Sequence, residues 1–193
     1  MNAGLVPNAL SVLRIALVPV WVAFAVAARR VALSGGDPSP AGPILVLIAI
    51  GATDVIDGFI ARRLGLASNL GATLDAAADK LAQIACVTFL ALAGAPAFTA
   101  LPLWLMAALA ARDLTLAGGW YAVHRRHGHV DAEHRWHGKA SSVLLFALII
   151  AALAGATPPL VRLASAAVLA LVVPSTVAYL VTGWRQLNKP DGR

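Results

Sequence analysis

Residues 54–62 read Asp54-Val-Ile-Asp57-Gly58-Phe-Ile-Ala61-Arg62, and residues 71–79 read Gly71-Ala-Thr-Leu-Asp75-Ala-Ala-Ala-Asp79. These four carboxylates lie in stretches otherwise apolar enough to span a bilayer, where one carboxylate costs about 2.5–3.5 kcal/mol on insertion scales. At about 100° per helical residue, Asp54 and Asp57 fall roughly 60° apart on one helix face and Asp75 and Asp79 roughly 40° apart on another. The linker from Arg62 to Leu70, with Arg63, Gly65, Ser68 and Asn69, is short enough to make the two helices antiparallel neighbours. Four carboxylates then converge near one membrane surface. They cannot all ionise there without compensation, and hard oxygen ligands suit Mg²⁺, Mn²⁺ or Ca²⁺. The expectation is a divalent metal site.

The rest of the chain fits a membrane setting. It has 193 residues, 60% hydrophobic and only 12% charged, with a mean hydropathy of +0.79; soluble domains are about half apolar and about a quarter charged. A span needs about 20 apolar residues, and six stretches qualify: 9–28, 42–62, 70–93, 98–121, 140–156 and 159–183. The fold class expected is all-α, a polytopic protein of six transmembrane helices forming one domain over 1–193. Arg14 lies inside the first apolar run and nothing basic precedes it, unlike a cleavable signal peptide, so that segment is expected to remain as a span.

The net charge of +6 is explained by Lys and Arg gathering in cytoplasmic loops rather than by nucleic-acid binding. With the N-terminus inside, Arg62, Arg63, Arg125, Arg126, Arg135, Lys139, Arg185, Lys189 and Arg193 fall on the cytoplasmic side, against Arg29, Arg30 and Arg162 on the other. Both termini and the carboxylates are therefore expected to be cytoplasmic, in the cell's inner (plasma) membrane. The stretch from Arg29 to Pro43 reads as an external loop, Gly94–Pro96 and Thr157–Pro159 as short turns, and His124–Lys139 as the main cytoplasmic loop. Cys86, the single cysteine, excludes an internal disulfide and a cysteine metal cluster.

Gly58, directly after Asp57, and Gly71, ahead of Asp75, permit close approach of backbone or ligand. Ala52, Ala61, Ala72, Ala76, Ala77 and Ala78 are small enough for close helix packing. Arg62 lies one turn beyond Gly58 on the carboxylate face, where a planar guanidinium can bind a diphosphate or serve as a positive-inside anchor.

Taken together, the two segments match D-x2-D-G-x2-A-R-x8-G-x3-D-x3-D at every fixed position, and the chain therefore resembles the CDP-alcohol phosphotransferase family. Val6-Pro7-Asn8-Ala9-Leu10-Ser11-Val12-Leu13-Arg14 is similar to the opening of that family's bacterial phosphatidylglycerophosphate synthase branch. Arg112-Asp113 and Gly138-Lys139 fall where the branch has Arg-Glu and Gly-Lys. The chain departs from the branch at Ala76, where proline is common, and at Ala140-Ser141-Ser142, where a more basic or threonine-containing run is usual. Relatives that make cardiolipin, phosphatidylserine or phosphatidylinositol phosphate share the motif and differ mainly outside it.

The resemblance implies a metal-dependent phosphatidyl transfer from CDP-diacylglycerol to glycerol 3-phosphate, with CMP released. It implies two Mg²⁺ or Mn²⁺ ions on Asp54, Asp57 and Asp75, with Asp79 contributing to the site and acting as general base. Gly58, Arg62 and Ser68, helped by a loop around Pro7 and Asn8, would contact the CDP part. The implied partners are CDP-diacylglycerol, a small phosphorylated alcohol and the lipid bilayer; a homodimer is compatible with it, and nucleic acid is not involved.

Arg14, Arg112 and Lys139 are cations in or beside apolar runs, and converging near the metal site they would suit the acceptor's phosphate. Pairing of Arg112 with Asp113 is the alternative for that residue. A divalent-cation transporter is the rival class, but it calls for acidic residues throughout the membrane depth, and here they cluster in two adjacent helices. His124-x2-His127 and His134-x2-His137 have spacing that zinc can use, but no cysteine accompanies them, and histidines in a basic, water-exposed loop are more often a solvated or headgroup-facing surface.

Overall fold

A computed structural model describes residues 5–64, 69–127 and 136–187. Among the described residues the chain forms six helices and no strand: α1 (Leu5–Leu33), α2 (Ala41–Leu64), α3 (Asn69–Ala93), α4 (Leu103–His127), α5 (Trp136–Leu153) and α6 (Pro158–Leu187). Each coincides with one of the six apolar stretches. Three contain apolar runs long enough to cross a membrane, Leu10–Leu33, Thr73–Ala93 and Pro158–Trp184, while Ala41–Ile56 and Ala140–Leu153 are shorter. In α4 the apolar run is broken by Arg112 and Asp113 and gives way to Gly118, Gly119, His124 and Arg125.

Several ends differ from the sequence reading. The loop expected around Pro7 and Asn8 is helix, because proline in a first turn lacks only an N–H that has no intrahelical partner anyway. The loop expected from His124 begins later, since α4 continues to His127. Val123 is buried there, and Trp120 stacks on His124 one turn away, with ring centroids 4.8 Å apart and planes 6° from parallel, a spacing that supports a helical turn. Likewise α1 runs through Arg29 and Arg30 to Leu33. It stops where Gly35 takes φ +80°, with the Gly36 amide donating to the Val31 carbonyl at 3.0 Å and Gly35 to Ala32 at 3.1 Å. This is a Schellman cap, which needs a left-handed residue that glycine adopts without penalty. The end of α5 repeats it at Gly155, φ +79°, with Ala156 donating to Ala151 at 2.9 Å.

The chain divides into two compact units, residues 1–100 with 149–157, and residues 101–148 with 158–193. In the first, α1 packs against both α2 and α3. The buried face of α1 is Ser11, Arg14, Trp21, Ala25 and Ala28; that of α3 is Ala78, Ala82, Cys86, Val87 and Leu90. Both follow the three-and-four spacing of one helix face, and their alanines let backbones approach closely. Trp21, fully buried, meets Phe89 edge-on at 5.7 Å, and Phe89 meets Phe98 at 6.5 Å. The Thr99 hydroxyl donates to the Ala156 carbonyl at 2.6 Å, which ties the segment after α3 to the residues following α5.

In the second unit α4 packs against α6, whose buried positions Val161, Ser165, Val168, Val172 and Ser175 again recur every three or four residues. Ser165 is wholly buried and satisfies its hydroxyl by donating to the Val161 carbonyl at 2.7 Å.

Large apolar side chains crowd the described surface while one charge lies fully inside. Arg14 has no solvent exposure, whereas Val55, Leu114, Val143 and Leu163 are each about 70% exposed. Outward-facing apolar side chains match hydrocarbon surroundings, and inward-facing charge is the arrangement membrane helices tolerate. The protein is membrane-integral.

Trp21→Ala tests the packing of the first unit. The expected loss is about 3 kcal/mol, the low end for truncating a buried aromatic, because lipid rather than water is the alternative environment for the lost contacts. It is read as a lowered thermal midpoint in detergent, and an unshifted midpoint would show that the Trp21–Phe89 contact does not hold α1 to α3.

Candidate functional site

Three helices of the first unit bring charge to one place. On α3, Asp75 and Asp79 are four residues apart and so project from one face. On α2, Asp54 follows the turn in which the Thr53 hydroxyl donates to the Ile50 carbonyl at 2.8 Å. On α1, Arg14 lies one turn beyond the buried Ser11. One carboxylate oxygen from each of Asp54, Asp75 and Asp79 lies within 4.8 Å of the others. The Arg14 Nη1 donates to Asp75 Oδ1 at 2.6 Å and to Asp79 Oδ1 at 2.9 Å, and it lies 3.4 Å from Asp54 Oδ1.

The cation of the group is buried and its acids are accessible. The Arg14 side chain is 0% exposed, while those of Asp54, Asp75 and Asp79 are 45%, 40% and 52% exposed. The carboxylates repel one another and are held together by the guanidinium, whose bonds to charged acceptors are about twice as strong as neutral ones. Three hard oxygen donors at this separation, reachable from outside, form a set able to hold a divalent cation. Thus the convergence of Asp54 with Asp75 and Asp79 expected from the spacing is present.

Other expected site residues are distributed as follows. Asp57, Gly58 and Arg62 lie on α2, Pro7 and Asn8 on α1 and Lys139 on α5, with their side chains outside the described residues; Ser68 and His134 lie outside them altogether. Arg112 and Lys139 belong to the second unit and Arg14 to the first. The Arg112 guanidinium is 3.9 Å from the carboxylate of its neighbour Asp113, a loose pair. Lys80, another cation within an apolar run, donates to Gln83 at 3.3 Å.

Sequence reasoning placed Arg14 with the acceptor's phosphate and missed its bonds to the carboxylates. The signal available was charge balance: a cation fully inside a membrane helix requires an anionic partner, and the nearest surplus of carboxylates in the sequence was the motif itself.

The family described as CDP-alcohol phosphatidyltransferase matches residues 4–180. Among curated proteins, the chain is 35% identical over 137 residues to the cardiolipin synthase (CMP-forming) of Streptomyces coelicolor, covering 71% of this chain and 59% of that protein. It is 36% identical over 113 residues to a putative cardiolipin synthase of Mycobacterium tuberculosis, 58% of this chain and 47% of that one. It is also 35% identical over 118 residues to the CDP-diacylglycerol–glycerol-3-phosphate 3-phosphatidyltransferase of Bacillus subtilis, 58% of each. The matches thus span between 47% and 59% of the length of these relatives.

Replacing Asp75 by Ala removes one donor of the three. Mn²⁺ binding, measured by titration of the purified protein in detergent, should weaken by more than about tenfold, since even outer-shell partners of a metal contribute 10–100-fold; an unchanged affinity would take Asp75 out of the metal site.

Proposed function

Because the chain belongs to the CDP-alcohol phosphatidyltransferase family, we propose that it transfers a phosphatidyl group from CDP-diacylglycerol to glycerol 3-phosphate and releases CMP in phospholipid biosynthesis. The observation that carries this reading is the set of Asp54, Asp75 and Asp79 oxygens within 4.8 Å of one another in helices that carry the family motif. The chain crosses the inner (plasma) membrane six times as a single domain, with both termini and the site on the cytoplasmic side, a topology supported by the bias of its Lys and Arg residues.

Asp54, Asp57, Asp75 and Asp79 would hold two divalent cations, Mg²⁺ or Mn²⁺, which when bound would supply charge neutralisation for the diphosphate and for the entering and leaving oxygens. Gly58 lets the CDP moiety approach the α2 backbone, Arg62 pairs with its diphosphate, and Ser68, Pro7 and Asn8 complete its contacts. Asp79, half exposed, accepts the proton of the acceptor hydroxyl at a carboxylate oxygen. The freed oxygen forms a bond to the phosphatidyl phosphorus as the bond from that phosphorus to the CMP oxygen breaks, and CMP departs with the electron pair. Arg112 and Lys139 bind the phosphate of glycerol 3-phosphate.

A second reading, in which the acceptor is phosphatidylglycerol and the product cardiolipin, is favoured by the Streptomyces coelicolor relative, whose match covers 71% of this chain. Purified protein incubated with CDP-diacylglycerol and a panel of glycerol 3-phosphate, phosphatidylglycerol, serine and inositol phosphate separates the two. Phosphatidylglycerophosphate is the product expected. Cardiolipin would replace the first reading by the second, and Mn²⁺ uptake into vesicles without CMP release would overturn both.

Two variants test the assigned roles. Asp79→Asn keeps an oxygen for metal but accepts no proton, so turnover should fall about 10²–10⁴-fold with CDP-diacylglycerol binding retained; a rate above about a tenth of wild type excludes Asp79 as the base. Neutralising Arg112 or Lys139 should raise the KM for glycerol 3-phosphate far more than that for CDP-diacylglycerol, and normal glycerol 3-phosphate kinetics in both variants would remove the phosphate pocket.

A further inference from the structure

The Arg14 side chain has no solvent exposure, yet one of its nitrogens reaches three carboxylates that are each about half exposed. The oxygens it contacts are Oδ1 of Asp75 at 2.6 Å, Oδ1 of Asp79 at 2.9 Å and Oδ1 of Asp54 at 3.4 Å. These three aspartates are the same donors that lie close enough together to share a metal ion. The guanidinium approaches them from inside the helix packing, and the carboxylates keep 40–52% of their side-chain surface exposed. A cation resident within the packing and a cation arriving from outside therefore draw on one set of negative charges.

We propose that Arg14 is a built-in counter-cation that keeps the carboxylate site assembled before metal binds and competes with the divalent ion for it. This rests on the metal-centre reading above and assigns Arg14 a positioning role instead of one in binding the acceptor. Without a cation among them, the carboxylates would drive α2 and α3 apart, because like charges whose oxygens lie within 4.8 Å of one another repel. With Arg14 present, α1, α2 and α3 remain held together when metal is absent, since each carboxylate keeps an opposite charge within 3.4 Å. The cost is paid in affinity. An incoming ion must weaken the bonds to Arg14, or accept a like charge close by, and in either case Arg14 lowers the affinity of the site. Its reach to two helices at once, from a third, suits a guanidinium, which carries five donors on a planar fork.

The test compares wild type, Arg14→Gln and Arg14→Lys as purified full-length protein in detergent, with Mn²⁺ as the probe. Bound Mn²⁺ is counted by the electron paramagnetic resonance signal of the free ion, and thermal midpoints are taken in EDTA and in Mn²⁺. In EDTA the midpoint of Arg14→Gln should fall by about 10 °C, the effect of breaking a buried ion pair in a chain of this size. Added Mn²⁺ should close most of that gap. Mn²⁺ should bind Arg14→Gln about tenfold or more tightly than wild type, and Arg14→Lys, which keeps the charge, should bind close to wild type.

A merely structural arginine would lower the midpoint equally with and without Mn²⁺ and leave the affinity unchanged, and that result overturns the proposal. Weaker Mn²⁺ binding by Arg14→Gln overturns it as well. If Arg14→Gln does not survive purification without metal, it is purified in Mn²⁺ and then chelated. Unfolding on chelation that Mn²⁺ reverses supports the proposal, and a variant that is unfolded even in Mn²⁺ contradicts it. Wild type that binds no Mn²⁺ at all would overturn the metal-centre reading itself, whereas wild-type binding with unaltered affinity in Arg14→Gln would overturn only the role of Arg14.

Discussion

A guanidinium with no solvent exposure, held by carboxylates from two other helices, is the constraint on which the first unit depends. Neither partner is tolerable alone. Arg14 without anions would be a bare charge within an apolar helix, and Asp54, Asp75 and Asp79 without a cation would repel one another across the α2–α3 boundary. Together they specify how α1 meets the other two helices, because a rotation of α1 by one residue, about 100°, would carry the guanidinium away from the acids. The ion cluster thus sets the rotational register of a helix whose remaining contacts, Trp21, Ala25 and Ala28, are apolar and less directional.

Small side chains make that approach feasible. Ala78 and Ala82 sit on the buried face of α3, with Ala78 one residue before Asp79, and both have almost no exposure. Larger residues there would hold α1 off and lengthen the 2.6 and 2.9 Å bonds from Arg14. In membrane-integral helices association is driven by close packing and polar contacts, since burying apolar surface against lipid gains little. The alanine stripe and the charged cluster therefore act on the same interface: one sets its distance, the other its orientation. Further along, Trp21 and Phe89 meet edge-on at 5.7 Å.

The placement also bears on the chemistry of the family. Phosphoryl transfer of this kind relies mainly on positioning and charge neutralisation, with little covalent work for the protein, so a rigid array of oxygens on two helices is the principal requirement. Helices hold side chains more firmly than loops do. In the proposed reaction the choice of acceptor falls to groups outside the array, Arg112 on α4 and Lys139 on α5, and the names of the curated relatives differ, one a cardiolipin synthase and another a glycerol-3-phosphate 3-phosphatidyltransferase.

The sequence by itself determined the helices and the carboxylate faces. Apolar length marks where helices run, and three- and four-residue spacing decides which residues share a face; both are local properties, carried by the chain wherever it folds. For that reason the six stretches coincide with α1 to α6 and Asp54 meets Asp75 and Asp79. The helix ends were less legible, because caps such as the one at Gly35 and continuations such as α4 through Val123 to His127 depend on a few hydrogen bonds and on burial. Tertiary structure alone decided the partner of Arg14. Of its acidic partners, Asp54 is 40 positions away in sequence and Asp79 is 65, and no periodicity links a cation in one helix to acids in two others. Only the packing of α1 against α2 and α3 brings their opposite charges within bonding distance.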